Sequence, residues 1–195
     1  MMLGDTENNR DRWLLAGLLM LLMVATRYHH FGSILHLPDA SWAIFLAVGF
    51  YFRGSLWLVS FLALAAAIDY FAITKGGSSG YCISPAYPFL IPAYGTLWLG
   101  GRWFAGHRGS GAADIAGLLA VALVATSVCF LISNGAFYWF SGRFEQTSVA
   151  DYLARLLRYY PMFLRTTMLY VVVFAALHAI VAVLRDIYGR SGESV

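Results

Sequence analysis

Apolar segments dominate this chain, and they set the strongest limit on what it can fold into. They are short and numerous, and glycine, proline or arginine separates them rather than long polar linkers. Hydrophobic residues make up 60% of the 195 residues, charged residues make up 12%, and the mean hydropathy is +0.68. A water-soluble domain does not have this composition. The sequence therefore predicts one integral membrane domain over residues 1–195, with an all-α fold.

Six transmembrane helices are predicted from the apolar segments. The first is expected to be retained, because no cleavage site of a secretory signal follows it. The second is too short to cross alone, since about 13 residues rise only about 20 Å and the hydrocarbon core is about 30 Å thick. It is expected to lie within the bundle or to be extended at its polar ends. The predicted helices span residues 13–29, 40–53, 55–74, 84–105, 113–134 and 162–186.

The longest connection, between the fifth and sixth helices, contains a helical pattern of its own. The segment SVADYLARLLRYY begins with Ser148, a residue suited to an N-cap, and repeats apolar residues at helical spacing. This pattern predicts an amphipathic helix over residues 148–160 that lies on the membrane surface or caps the bundle.

The distribution of Lys and Arg predicts the orientation. With the long fifth loop set aside, these residues favour the side that holds both termini, so both termini are expected in the cytoplasm. Loops one, three and five then face outward. The net charge of +3 is small and no basic tract is present, so no nucleic-acid partner is expected.

Unusual polar and aromatic residues gather on this outward face. Such a face is typical of a pocket for a large, partly apolar ligand that is rich in hydrogen-bonding groups. Asp69 lies inside the apolar run LALAAAIDYFAIT, where an ionisable group costs about 3 kcal/mol. It is therefore expected to be functional or paired in a salt bridge. The candidates for binding are His30, Asp69, Cys82, Tyr87 and Arg155.

Cys82 lies in the stretch GYCISPAYPFLIPAY and has several possible roles. A disulfide with Cys129 would need alpha carbons within about 7 Å, but Cys129 is predicted deep in the fifth helix. A zinc site needs about three or four ligands, and the histidines near Cys82 are scattered, so no separate metal is expected. A single thiolate suits a metal already held by a macrocycle with an open axial position. Cys82, a loop-one histidine and Asp69 also contain the residue types of a Cys-His-Asp hydrolase.

The segments GYCISPAYPFLIPAYGTLW and ISNGAFYWFSGRF, with the short six-helix layout, resemble the BtuM family of bacterial vitamin B12 transporters. This family is related to the substrate-binding S-components of energy-coupling factor (ECF) transporters, and the resemblance covers nearly the whole chain. It implies an S-component-like bundle in the bacterial inner membrane that binds cobalamin on its outer side. Cys82 would be the axial ligand of the cobalt, in place of the benzimidazole. His30, Asp69, Tyr87 and Arg155 would be the other polar site residues.

The first helix departs from the ECF pattern. S-components typically carry AxxxA there, which allows close docking on the shared transmembrane subunit, but Ala16 is followed four residues later by Met20. This difference argues against an ECF transmembrane subunit as partner and favours uptake by the protein alone.

If Cys82 binds cobalt, its thiolate is expected to weaken the cobalt's bond to the opposite ligand, so a transporter of the kind that the resemblance implies would promote loss of cyanide from cyanocobalamin. Two alternatives remain: an S-component for another vitamin, and a thiol-dependent membrane hydrolase.

Overall fold

A computed structural model of the chain describes residues 5–28, 37–76, 80–107 and 112–192. These residues form helices and no strand, which confirms the predicted all-α class. The α-helices are Asp5–Arg27 (α1), Ser41–Tyr51 (α2), Ser55–Thr74 (α3), Leu90–His107 (α4), Ala112–Phe140 (α5) and Val149–Gly192 (α6). Two short 3-10 helices, Gly80–Cys82 and Tyr87–Phe89, lie between α3 and α4.

Three of the described helices are long and apolar enough to cross a membrane: α3, residues 113–140 of α5 and residues 149–185 of α6. Most residues in their apolar windows are not buried within the protein. On α6, for example, Leu177, Ile180 and Val183 are about half exposed, at 54%, 55% and 58%. A surface covered by such side chains is stable against lipid and not against water. The helices therefore support a membrane protein.

The short helix α2 lies inside the bundle, which is the first of the two arrangements expected from its length. Its residues from Ser41 to Gly49 are all buried. It packs very closely on α4, because a Cβ atom on Gly49 would overlap the carbonyl oxygen of Trp98. In the same way, a Cβ atom on Gly101 would overlap the carbonyl oxygen of Leu46. Glycine at both positions allows the two backbones to touch.

Helix α4 begins at Leu90 rather than at the predicted residue 84. Proline disfavours helical backbone in the residue before it, so Pro85 argues against a helix that already includes Ser84. A 3-10 turn fills residues 87–89 instead. Pro92 falls in the first turn of α4, where its missing N–H costs nothing.

The predicted boundary within α6 is wrong. Residues 148–160 and 162–186 do not form two helices, since one helix runs from Val149 to Gly192 with Pro161 inside it. Side chains on both sides of the proline pack on the same core: the ring centroid of Tyr160 lies 5.4 Å from that of Phe130, and that of Phe163 lies 4.9 Å from that of Trp42. This packing offsets the cost of proline in a helix, about 3 kcal/mol.

Other helix ends also differ from the predicted ones. Helix α1 includes polar residues from Asp5 onward, and α5 continues to Phe140 instead of ending at residue 134. The last turns of α5 are stabilised by aromatic contacts, because Phe137 packs on Tyr81 and Phe140 stacks on Phe89. The N-cap prediction for Ser148 is confirmed: its Oγ accepts a hydrogen bond of 3.1 Å from the backbone N–H of Asp151.

The beginning of α1 and the later part of α6 lie at the same end of the bundle. Nη2 of Arg185 is 2.7 Å from Oδ2 of Asp11. Arg27, at the opposite end of α1, therefore belongs to the other end of the bundle, where the polar candidates gather.

Candidate functional site

A buried ion pair lies at the centre of the site. Arg27, the last residue of α1, is only 7% exposed. Its Nε and Nη2 donate to Oδ1 and Oδ2 of Asp69, both at 2.7 Å. This two-bond geometry is the strongest form of an arginine–carboxylate pair. Asp69 is therefore a paired carboxylate that ties α3 to α1.

Three further groups surround the same guanidinium. Its Nη1 donates to the hydroxyl of Tyr94 at 2.9 Å and to Oγ of Ser41 at 3.2 Å. Oδ2 of Asp39 lies 3.6 Å from this nitrogen. Asp39 is oriented by α2, because its Oδ1 accepts hydrogen bonds from the backbone N–H and the hydroxyl of Ser41. Arg27 thus joins α1, α2, α3 and α4 at one point.

Tyr87 extends this network into the segment before α4. Its hydroxyl donates to Oδ2 of Asp69 at 2.7 Å. Burial raises the pKa of Tyr87, and the hydrogen bond to Asp69 raises it further. Tyr87 consequently keeps its proton and remains a donor at physiological pH.

A cavity of about 380 Å³, called the main cavity below, opens beside this network. Arg27, Asp69 and Tyr87 form part of its polar wall, and Trp42 and Phe130 form part of its apolar wall. Its volume is near the small end of the range for small-molecule sites, about 300–1,000 Å³. It can enclose a small ligand, or one portion of a large one.

Two polar atoms beside the main cavity have no hydrogen-bond partner among the described residues. They are Oδ1 of Asn134, on α5, and Nε of Arg155, on α6. Both atoms are buried, and both residues line the main cavity. An unsatisfied buried polar atom costs about 1–3 kcal/mol, and such an atom calls for an explanation. A ligand that supplies a donor to Asn134 and an acceptor to Arg155 would satisfy both.

Of the five predicted site residues, the structure brings three to one cavity. Asp69 and Tyr87 are hydrogen-bonded, and Arg155 lines the same cavity. His30 and the side chain of Cys82 lie outside the described part of the structure. The backbone of Cys82 ends the 3-10 helix Gly80–Cys82.

The neighbours of Cys82 show where this turn lies. Tyr81 and Ile83, on either side of it, both line the main cavity. The turn is attached to α5 by the Tyr81–Phe137 contact, with ring centroids 5.6 Å apart. The other cysteine, Cys129, is a buried free thiol on α5. Among the described residues, no three His, Cys, Asp or Glu side chains form a group that would hold a metal ion.

Sequence reasoning missed part of the network. It did not predict Arg27 as the partner of Asp69, nor any role for Asp39, Ser41 or Tyr94. Asp39 offered one signal, because a carboxylate just before a predominantly apolar helix is expected to find a partner. Tyr94 offered none, since a tyrosine in an apolar helix is commonly a packing residue.

No protein-family model matches the sequence, and no curated protein is significantly similar to it. The fold and the geometry of the site therefore define the chain as a helical membrane protein with a ligand-sized cavity at one end of its bundle.

Proposed function

We propose that this chain is a cobalamin-binding membrane protein that mediates uptake of the vitamin. In this proposal six helices form an S-component-like bundle in the bacterial inner membrane, with both termini in the cytoplasm and the main cavity facing outward. The observation that carries the proposal is the position of the Cys82 turn, since the residues on both sides of Cys82 line a cavity whose walls are polar, aromatic and partly unsatisfied. The resemblance of the Cys82 segment to BtuM transporters adds the identity of the ligand.

The thiolate of Cys82 would bind cobalt as the lower axial ligand, in place of the benzimidazole. The cobalt belongs to the cargo and is not a resident cofactor. Because the main cavity is small for a corrinoid, the corrin ring would cover its mouth and only the side chains of the ring would enter. Corrin amides would then meet Tyr87, Asn134 and Arg155, which offer matching donors and acceptors. His30 would receive or relay the proton that the thiol loses.

Asp69 has a narrower role than a free carboxylate would have. Its charge is neutralised by Arg27, and one of its oxygens already accepts from Tyr87. Asp69 therefore positions the Tyr87 hydroxyl, and its remaining lone pairs are available to an amide N–H.

Binding through a thiolate also favours loss of the upper ligand. A thiolate is a strong donor, so it weakens the cobalt bond on the opposite face of the corrin. Cyanide would leave with its bonding electron pair and take up a proton from water, without oxidation or reduction of cobalt. The protein would thus promote decyanation of cyanocobalamin while acting primarily as a carrier.

The absorption spectrum of bound cyanocobalamin tests this proposal, with the second cysteine as a matched control. Purified wild-type protein and Cys129→Ala are expected to bind the vitamin and shift its corrin bands. Cys82→Ala is expected to leave the cyano spectrum unchanged. No binding by the wild-type protein would refute the function, and an identical shift in Cys82→Ala would refute the thiolate ligand.

Growth measures the transport step. A vitamin auxotroph that lacks its own cobalamin importer and any ECF module should grow on low cobalamin when it expresses the wild-type chain. Growth only after an ECF module is added would contradict uptake by the protein alone. A thiol probe that labels Cys82 equally with and without cobalamin would favour a thiol-dependent hydrolase instead.

A further inference from the structure

A second cavity of about 340 Å³, called the side cavity below, adjoins the main cavity along α6. Its walls come from the end of α5, the connection to α6 and the first turns of α6. Arg155 and Tyr159 line both cavities. The two cavities are therefore neighbours, with these two residues between them.

The side cavity carries an excess of positive charge. Arg155 and Arg158 line it with one carboxylate, Asp151. That carboxylate is already engaged, because its Oδ2 accepts from the hydroxyl of Ser148 at 2.7 Å. Neither arginine has an ion-pair partner among the described residues. The charge of the side cavity thus favours an anion.

Aromatic rings hold Arg155 at the boundary between the two cavities. Its guanidinium carbon lies 4.8 Å from the ring centroid of Phe144 and 5.2 Å from that of Tyr159. Rings fix the guanidinium plane but accept no strong hydrogen bond, which explains why the buried Nε has no acceptor. Arg158 contacts Tyr159 too, with its guanidinium carbon 5.6 Å from the ring centroid.

We propose that the side cavity binds a phosphodiester, the anionic group that links the nucleotide tail of cobalamin to its corrin ring. This inference rests on the proposed function and assigns a separate subsite to the tail. Arginine is well suited to the role, since its fork of N–H donors matches two phosphate oxygens. When Cys82 replaces the benzimidazole on cobalt, the tail is released from the corrin, and its phosphate can extend into the side cavity between Arg155 and Arg158.

The test compares two corrinoids on two variants. Cobinamide lacks the nucleotide and its phosphodiester but keeps the corrin ring. Arg158→Gln is expected to weaken binding of cobalamin roughly tenfold or more, as for a lost charge-assisted hydrogen bond, and to leave binding of cobinamide unchanged. Arg158 is exposed, so the variant should fold. Arg165 lies on the same helix but lines neither cavity. Arg165→Gln is therefore the control, and should change the binding of neither corrinoid.

Each other outcome overturns the subsite. Equal affinities of wild type and Arg158→Gln for cobalamin would show that the side cavity does not bind the tail. An equal loss for both corrinoids would place Arg158 on the corrin ring itself. A lipid phosphodiester is the competing source of the same chemistry. If Arg158→Gln changes the affinity for cobalamin in phosphatidylglycerol nanodiscs but not in a phosphate-free detergent, the side cavity would be assigned to lipid. If neither corrinoid binds the wild-type protein, the proposed function itself fails.

Discussion

Arg27 and Asp69 are joined by two hydrogen bonds of 2.7 Å, although 42 positions separate them in the chain. The pair closes the end of the bundle that holds the main cavity, because it connects the last turn of α1 to the later part of α3. Both side chains are largely buried, at 7% and 20% exposed, so each requires the charge of the other.

Asp69→Asn should therefore destabilise the protein strongly. Removing one partner of a buried ion pair costs about 3–5 kcal/mol. The loss is expected near the lower limit, because Asp39 remains 3.6 Å from the guanidinium of Arg27. A loss of about 3 kcal/mol would lower the melting temperature by roughly 6–12 °C in a chain of this size. Thermal unfolding in detergent measures this change.

Asp11→Asn is the matched control. Asp11 and Arg185 are also 2.7 Å apart, but the two side chains are 42% and 53% exposed. An exposed pair contributes about 1 kcal/mol or less. Equal losses in the two variants would contradict the importance of burial for the Arg27–Asp69 pair.

The partner of Asp69 illustrates what the sequence leaves undetermined. An aspartate in an apolar run has to be functional or paired, and the structure shows that it is paired. Which cation pairs with it depends on how α1 packs against α3, and no local pattern encodes that packing. In the sequence TRYHHFG, Arg27 looks like an ordinary polar residue at the end of the first helix.

The positions of α2 and α3 follow hydropathy well, whereas helix ends at prolines, in the polar start of α1 and at the end of α5 do not. Helix α3 spans the predicted residues 55–74, and the short α2 is buried as expected. Pro88 lies in a 3-10 turn just before α4, whereas Pro161 lies inside the α-helix α6. Tertiary packing keeps the helix intact at Pro161, since residues on both sides of this proline pack on Trp42 and Phe130. A sequence pattern shows the proline but not the contacts that compensate for it.

Gly49→Ala and Gly101→Ala should each lower stability. The added methyl group would overlap the backbone of Trp98 or Leu46, which cannot rotate away as a flexible side chain would. Overpacking costs about 1–3 kcal/mol, and rigid backbone favours the upper end of this range. Thermal unfolding of the purified variants measures the loss.

Gly95→Ala provides the control on α4. A Cβ atom at Gly95 would have no atom within 4 Å beyond its own neighbours. Alanine is a better helix former than glycine by about 1 kcal/mol, so this variant should be as stable as the wild type or slightly more stable. A comparable loss in Gly95→Ala would argue against close α2–α4 packing as the cause.

Tyr87→Phe should weaken stability in a pH-dependent way. Near pH 7 the variant loses one hydrogen bond to a charged acceptor, at about 1.5–3 kcal/mol. The raised pKa of Tyr87 means that the folded state holds this proton more tightly than the unfolded state. The protonated Tyr87 hydroxyl therefore contributes fully to the free energy of unfolding below pH 10, the ordinary pKa of tyrosine. This contribution is lost as the pH rises toward the pKa of Tyr87 in the folded state.

Melting temperatures of the wild type and Tyr87→Phe between pH 7 and pH 11 test this dependence. The difference between them should stay constant up to about pH 9 and shrink above pH 10. Tyr70→Phe, which alters a tyrosine that is 63% exposed on α3, should match the wild type throughout. A difference that grows above pH 10 would contradict the hydrogen bond from Tyr87 to Asp69.

Asn134→Leu should separate stability from binding. The Oδ1 of Asn134 is buried without a partner among the described residues, so an apolar side chain of similar size should leave the melting temperature unchanged or raise it. The affinity for cobalamin should fall roughly tenfold, because the ligand loses a hydrogen-bond acceptor in the main cavity.

Thr126→Val makes the same kind of change on the same helix, since Oγ1 of Thr126 is also buried and unpaired within the described structure. Thr126 does not line the main cavity, so its variant should gain stability and keep full affinity. If Asn134→Leu lost stability and kept its affinity, the amide would be a structural group and not part of the ligand site.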